Sequence, residues 1–99
     1  MRRSQADKDV DVAVGSNIRR FREISGISQK KLAAAIGVTF QQVQKYESGK
    51  DRISARKLVE TARALGCDFN SLFAGIEIGD VILAFPDHST AALKASRQF

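Results

Sequence analysis

Three side chains with hydrogen-bonding or charged ends lie close together in the middle of the chain, at Gln41, Gln44 and Lys45. Their spacing of three and four residues places them on one face of a helix. A glutamine amide presents a donor and an acceptor side by side, which matches the major-groove edge of adenine, and a lysine ammonium can donate to guanine acceptors or to a phosphate. This pattern therefore indicates contacts with nucleic acid.

The segment Gln29–Tyr46 contains two short amphipathic helical patterns separated by a break. In the first pattern, Leu32, Ala33 and Ile36 recur at the spacing of a helix that buries one face. Gly37 is predicted to end this helix, because glycine adopts the left-handed conformation beyond a helix end at little cost. The second pattern follows at once, so the two helices should form a tight corner.

Thr39 is predicted to begin the second helix as its N-cap, and Gln42 completes a T-x-x-Q capping box. At about 100° per residue, Val43, Tyr46 and Glu47 fall on the inward side. The residues left facing outward are Gln41, Gln44, Lys45 and Ser48.

The remaining signals place helices on both sides of this corner. Gly15 or Ser16 is predicted to begin a first helix that Gly26 ends, and Ser54 is predicted to cap a fourth helix that Gly66 ends. A short final turn follows. Short connections between such helices favour an all-α bundle of four or five helices.

From about Val14 to Phe73 the chain resembles the helix-turn-helix of the phage repressor and Cro family, also called the XRE type. The resemblance includes SNIRRFREISGISQKKLA before the corner, and QKYESGKDRIS and LVETARALGCDFNSLF after it. It implies a compact, lambda-repressor-like bundle whose third helix reads double-stranded DNA. The function it implies is transcriptional regulation, as a repressor that occupies an operator as a homodimer.

The resemblance also implies which residues read bases. Family members place base-contacting residues at the positions that match Phe40, Gln41 and Lys45, and Gln44 shares their helix face. Many family members are polar at the first of these positions. The aromatic ring of Phe40 departs from that pattern, and two roles are open to it: contact with a thymine methyl, or packing over the corner.

A second set of residues is predicted to bind the phosphate backbone. Gln29 begins the second helix, where free backbone N–H groups and the helix dipole favour an anion. Ser48, Lys50 and Arg52 lie at or after the end of the third helix, in the loop that lies along the backbone in similar proteins. Contacts of this kind fix the position of the protein on DNA but carry little sequence information.

One predicted pair is structural. Arg22 and Glu47 match positions where the family places an ion pair between the first helix and the end of the third. If it is buried, loss of one partner would leave an isolated charge and cost about 3–5 kcal/mol.

The charge of the chain is unevenly distributed. Residues 15–73 carry eleven basic and five acidic side chains, so their net charge is +6, whereas that of the whole chain is +5. Such an excess attracts phosphates, although basic side chains also serve simply to solvate helix surfaces.

We divide the chain into a flexible N-terminal arm (1–13), the helix-turn-helix domain (14–74) and a C-terminal extension (75–99). Arg2 and Arg3 could enter a minor groove, but nearby aspartates favour a neutral, disordered tail. The extension contains the apolar segment Ile76–Phe85, for which two interpretations remain: packing across a dimer interface, or packing against its own domain. A further alternative is an antitoxin whose residues 76–99 bind a toxin or another protein.

Other classes of protein are disfavoured. The single histidine, His88, and the single cysteine, Cys67, offer no catalytic triad, metal-ligand spacing or disulfide, so we expect no enzyme, metal or cofactor. Cys67 should simply pack as a small hydrophobe. No stretch approaches the roughly 20 apolar residues of a membrane span, and no secretion signal is present, so the expected location is cytoplasmic.

Overall fold

The computed structural model describes residues 3–76 of the chain. They form four α-helices and a short 3-10 helix, and contain no strand: α1 (Gln5–Ser25), α2 (Gln29–Ile36), α3 (Phe40–Ser48), α4 (Ala55–Leu65) and the 3-10 helix Phe69–Phe73. The predicted all-α fold with a helix-turn-helix is confirmed.

Serine or threonine caps the start of every α-helix. In each case the hydroxyl accepts a hydrogen bond from a backbone N–H in the first turn; the four residues are Ser4, Ser28, Thr39 and Ser54. At Thr39 the predicted cap is present, with a distance of 3.1 Å from Gln42 N to Thr39 Oγ1. The Gln42 side chain does not complete the box, because its amide donates instead to the Asp51 carboxylate at 3.2 Å.

The core lies between α1, α2, α4 and the inner face of α3, and the 3-10 helix closes it against α1 and α4. Its most deeply buried members include Ile18, Val43 and Leu72, each no more than 1% exposed. The Asn17 amide is also buried, and it donates to the carbonyl oxygens of Leu72 and Ala74, both at 2.9 Å. These two bonds attach the end of the described chain to the middle of α1.

The first helix begins ten residues before Gly15, the start predicted from the sequence. Ser4 and Asp7 form a complete capping box, so residues 5–13 are helical rather than part of a flexible arm. Gly15 lies inside the helix for a packing reason. A Cβ atom at this position would overlap the carbonyl oxygen of Tyr46, so only glycine lets α1 approach α3 this closely.

Two kinds of feature are absent from residues 3–76. No group of three or more His, Cys, Asp or Glu side chains is placed to hold a metal ion. In the same part of the chain, no helix combines the length and the apolar character needed to cross a membrane. The predictions made for residues 77–99, including His88, lie outside the described residues.

Candidate nucleic-acid interface

The outward side of α3 carries four exposed polar residues, which we call the α3 outer face: Gln41, Gln44, Lys45 and Ser48. Val43 on the opposite side is fully buried, which fixes the rotation of the helix about its axis. The four residues, together with Lys50 of the following loop, line a shallow open depression. Within residues 3–76, the side chains of Gln41, Gln44 and Lys45 form no hydrogen bond or ion pair, so their polar ends are available to a ligand.

Phe40, the first residue of α3, is half-buried. The ammonium nitrogen of Lys30, on α2, lies 5.6 Å from the centre of its ring. A cation over an aromatic face at this distance contributes about 0.5–1 kcal/mol at an exposed site. The structure therefore places Phe40 against the corner, with part of its ring still accessible beside Gln41.

Gln29 begins α2, as predicted, but its side chain is directed inward. The amide nitrogen donates to Glu47 Oε1 at 2.8 Å, and the residue is half-buried. A carboxylate is a stronger acceptor than a neutral group, which accounts for this orientation. This bond occupies one of the two amide N–H groups, and the other forms no hydrogen bond within residues 3–76.

Three further candidates for phosphate binding lie at the end of α3 or in the loop after it: Ser48, Lys50 and Arg52. Ser48 Oγ accepts a hydrogen bond from the backbone N–H of Lys50 at 3.3 Å, and the Lys50 side chain is exposed beside the α3 outer face. Arg52 points elsewhere: its guanidinium lies 3.8 Å from the carboxylate of Asp7 and 3.7 Å from that of Asp11. Ser48 and Lys50 are thus positioned together, whereas Arg52 is paired with α1.

Arg22 and Glu47 form a forked ion pair behind α3. Arg22 Nε donates to Glu47 Oε2 at 2.5 Å and Arg22 Nη2 donates to Oε1 at 3.2 Å, while Nη1 donates to the carbonyl of Ile27 at 2.9 Å. Their side chains are only 11% and 4% exposed. The hydrogen bond to Glu47 raises the pKa of Arg22 above its ordinary value, which further favours the charged form of the arginine.

Four exposed lysines surround the corner: Lys30, Lys31, Lys45 and Lys50. None of them forms an ion pair with another residue of the described part of the chain. Elsewhere, several basic side chains have acidic neighbours, as in the pairs Arg19–Glu23 and Arg56–Glu60. The four lysines therefore place positive charge around the corner that no acidic side chain of residues 3–76 neutralises, which favours an anionic ligand there. Three basic residues elsewhere in the described chain also form no ion pair: Lys8, Arg20 and Arg63.

Several residues that support this surface were not predicted. Lys57 donates from Nζ to the carbonyl of Ile36 at 2.6 Å, which joins α4 to the end of α2. Lys57 also lowers the pKa of Glu60 through a 2.9 Å hydrogen bond. Arg3 and Asp11 contact the loop after α3. These contacts could not be predicted, because the sequence does not show which charged residues of different helices lie close together.

Cys67 is half-buried and packs against the core. Burial raises the pKa of its thiol, which favours the unreactive protonated form.

Known proteins resemble this chain in both sequence and structure. A family model described as Helix-turn-helix matches residues 18–72. An uncharacterized transcriptional regulator in the ATPase CF(0) region of Rhodospirillum rubrum is 45% identical over 71 residues, which cover 72% of this chain and 66% of the relative. An uncharacterized HTH-type transcriptional regulator of Sinorhizobium medicae is 42% identical over 64 residues, covering 65% of this chain but only 46% of the relative.

Among solved structures, the restriction-modification controller protein C.AhdI from Aeromonas hydrophila superposes with a TM-score of 0.60 and 31% identity. The match covers 63% of this chain and 94% of that protein. The residues matched by the family model include all of α2, α3 and α4. The chain therefore belongs to the XRE-type helix-turn-helix family of DNA-binding transcriptional regulators.

Proposed function

We propose that this regulator binds a specific double-stranded DNA sequence by inserting α3 into the major groove. The observation that carries the proposal is the α3 outer face itself, whose amide and ammonium groups are exposed and lack partners within residues 3–76. A free polar helix face on a rigid support is what direct recognition of base edges requires. The buried Arg22–Glu47 pair supplies that support from behind the helix.

In this proposal, three residues of the α3 outer face read bases, together with Phe40 at the start of the helix. Gln41 and Gln44 pair their amides with adenine, and Lys45 donates to the acceptors of guanine. Phe40 contacts a thymine methyl with the accessible part of its ring. Because Lys30 lies over that ring, Phe40 also holds a cation close to the phosphates.

Phosphate contacts fix α3 in its groove. Lys50 and Ser48 are the leading anchors, since both lie at the edge of the α3 outer face. Gln29 contributes its remaining N–H group together with the free backbone N–H groups at the start of α2. Arg52 can join them only by leaving Asp7 and Asp11, so we expect its contribution to be the smallest of the four.

We further propose that the protein acts in the cytoplasm as a homodimeric repressor. A single helix of nine residues reads only a few base pairs, and a two-fold pair of such helices enters successive major grooves about 34 Å apart. Occupying an operator in this way needs no chemical reaction. The antitoxin alternative is less favoured, because the relatives reported above are named as transcriptional regulators.

Selection of bound duplexes from a random pool tests this proposal. We expect enrichment of one sequence with two-fold symmetry, and a steep fall in affinity as salt rises, because each phosphate contact releases counterions. Lys50→Ala should weaken all duplexes alike and reduce the salt slope by about one. Arg63→Ala is the matched control, since Arg63 is an exposed basic residue of α4 outside the proposed interface. Recovery of random sequences would contradict the proposal.

A further inference from the structure

Arg3 makes a long-range connection that neither the family match, which begins at residue 18, nor the proposed function assigns. It lies just before the N-cap of α1, and its guanidinium reaches the loop that follows α3. Nη1 donates to the Asp11 carboxylate at 2.5 Å and to the carbonyl of Gly49 at 3.2 Å, and Nη2 donates to the carbonyl of Lys50 at 2.6 Å. One side chain therefore holds two consecutive carbonyl groups of the loop.

The surroundings of Arg3 make this connection specific. The Asp11 side chain is only 10% exposed and that of Arg3 is 26% exposed, so water competes weakly for the bond between them. The bond from Arg3 to the Lys50 carbonyl is exposed to solvent. The two loop carbonyls lie at the C-terminal end of α3, where the helix dipole favours a cation. Asp11 also has Arg52 at 3.7 Å, which gives this carboxylate a second positive neighbour.

The backbone is also closely packed at the same place. A Cβ atom on Gly49 would lie 2.6 Å from the Cα atom of Val12. The N-terminal half of α1 therefore lies directly against the loop, and Arg3 continues this contact by one further residue, to Lys50. The exposed side chain of Lys50 then lies beside the α3 outer face.

We propose that Arg3, oriented by Asp11, is a positioning residue for DNA binding: it holds the backbone of Gly49 and Lys50 so that the Lys50 ammonium faces the phosphate next to α3. The inference rests on the proposed function, because it assigns a role to a residue outside the reading helix. In this proposal Arg3 acts through the loop and not by contacting the phosphate itself, because three of the five N–H groups of its guanidinium donate to Asp11 and the two carbonyls.

Two variants separate positioning from charge alone. Arg3→Ala should reduce affinity about tenfold for every duplex, which corresponds to the loss of one charge-assisted hydrogen bond. The salt slope should fall by no more than it does in Lys50→Ala, and adding Arg3→Ala to Lys50→Ala should not lower the slope further, because Arg3 acts only through Lys50. Asp11→Asn should also weaken binding, although it removes a negative charge that repels DNA. Asp9→Asn is the matched control, since Asp9 is an exposed acid of α1 that accepts only from Gln5 in the described structure; it should leave affinity unchanged or slightly higher.

A readout in the free protein keeps this test separate from the test of DNA binding. The backbone N–H of Asp51 donates to the carbonyl of Lys45 at 3.3 Å, so its hydrogen exchange reports on the order of the loop. Exchange at Asp51 should accelerate in Arg3→Ala and Asp11→Asn while that at Leu58 in α4 does not change. If the wild-type protein binds DNA without sequence preference, the proposed function is contradicted, whatever the exchange rates.

Three results would overturn the positioning role itself. The first is unchanged exchange at Asp51 in both variants. The second is tighter binding by Asp11→Asn, which would mean that only the electric field matters. The third is a salt slope that falls by about one further when Arg3→Ala is added to Lys50→Ala, which would make Arg3 a direct phosphate contact.

Discussion

An arginine–carboxylate pair lies near each end of α1, one bound to the end of α3 and the other beside the loop that follows it, and the two pairs differ in their surroundings. Near the end of α1, Arg22 binds Glu47 with side chains 11% and 4% exposed. Before its start, Arg3 binds Asp11 with side chains 26% and 10% exposed, and an exposed arginine, Arg52, shares the carboxylate. The first pair fixes a helix, and the second contacts a loop.

This difference indicates separate tasks for similar chemistry. Removing one partner of a buried pair strands a charge that water cannot reach, so the whole fold is expected to suffer. A pair closer to solvent contributes less to the free energy of unfolding, and removing one partner costs less, because water can solvate the partner that remains. We therefore expect Arg22–Glu47 to control stability, and Arg3–Asp11 to control where the loop lies.

The largest effect is expected from Glu47→Gln. The substitution keeps the shape of the side chain but leaves the Arg22 charge unpaired in a buried site, at a cost of about 3 kcal/mol. The melting temperature should fall by roughly 10–20 °C for a domain of this size. Calorimetry measures the fall, with Arg3→Ala as the comparison, for which we expect a loss of no more than about 1 kcal/mol. Equal losses for the two variants would remove the distinction between the pairs.

Gly15→Ala should have the next largest effect. Alanine is favoured over glycine within a helix by roughly 1 kcal/mol, yet here its Cβ would meet the backbone of Tyr46 and force α1 away from α3. We expect a net destabilisation of about 1–3 kcal/mol in denaturant unfolding. Ser16→Ala is the control, as Ser16 is exposed on the same helix. A stabilised Gly15→Ala protein would show that the two helices are not in close contact.

The smallest effect is expected at a fully exposed pair on α1. Arg19 and Glu23 form an ion pair four residues apart at 3.3 Å, with side chains 64% and 56% exposed. Glu23→Gln should therefore cost no more than about 0.5 kcal/mol, and less at high salt. Denaturant midpoints at two salt concentrations measure it. A loss comparable with that of Glu47→Gln would mean that burial does not set the strength of these pairs.

The sequence predicted the corner better than it predicted the first helix, and the reason is local. The limits of α2 and α3 follow from apolar periodicity and from residues such as Thr39 and Gly37, which act on their immediate neighbours. Ser4 and Asp7 also have the spacing of a capping box, but the glycine at position 15 favours a later helix start. An isolated glycine within a helix can instead mark close packing, and only the position of α3 shows which applies.

Side-chain partners were harder to predict than helix limits. The connection of Arg3 to Lys50 spans 47 residues, and nothing in the spacing of the two residues indicates it. In the same way, the amide of Gln29 and the guanidinium of Arg52 were both expected to face phosphate, yet each has a carboxylate within reach in the folded chain. The exposed positions of Gln41, Gln44 and Lys45 could be predicted because they depend only on the rotation of one short helix.

The central claim, that the α3 outer face reads bases, is tested most directly by measuring affinities for single-base-pair variants of the selected duplex. For Gln41→Ala we predict that preference at one position is lost, a change of about 1–3 kcal/mol there, while the other positions keep their preferences. Lys50→Ala should weaken every duplex equally and leave the pattern of preferences intact. If Gln41→Ala also leaves every preference as it is in the wild type, α3 does not read the sequence through this face.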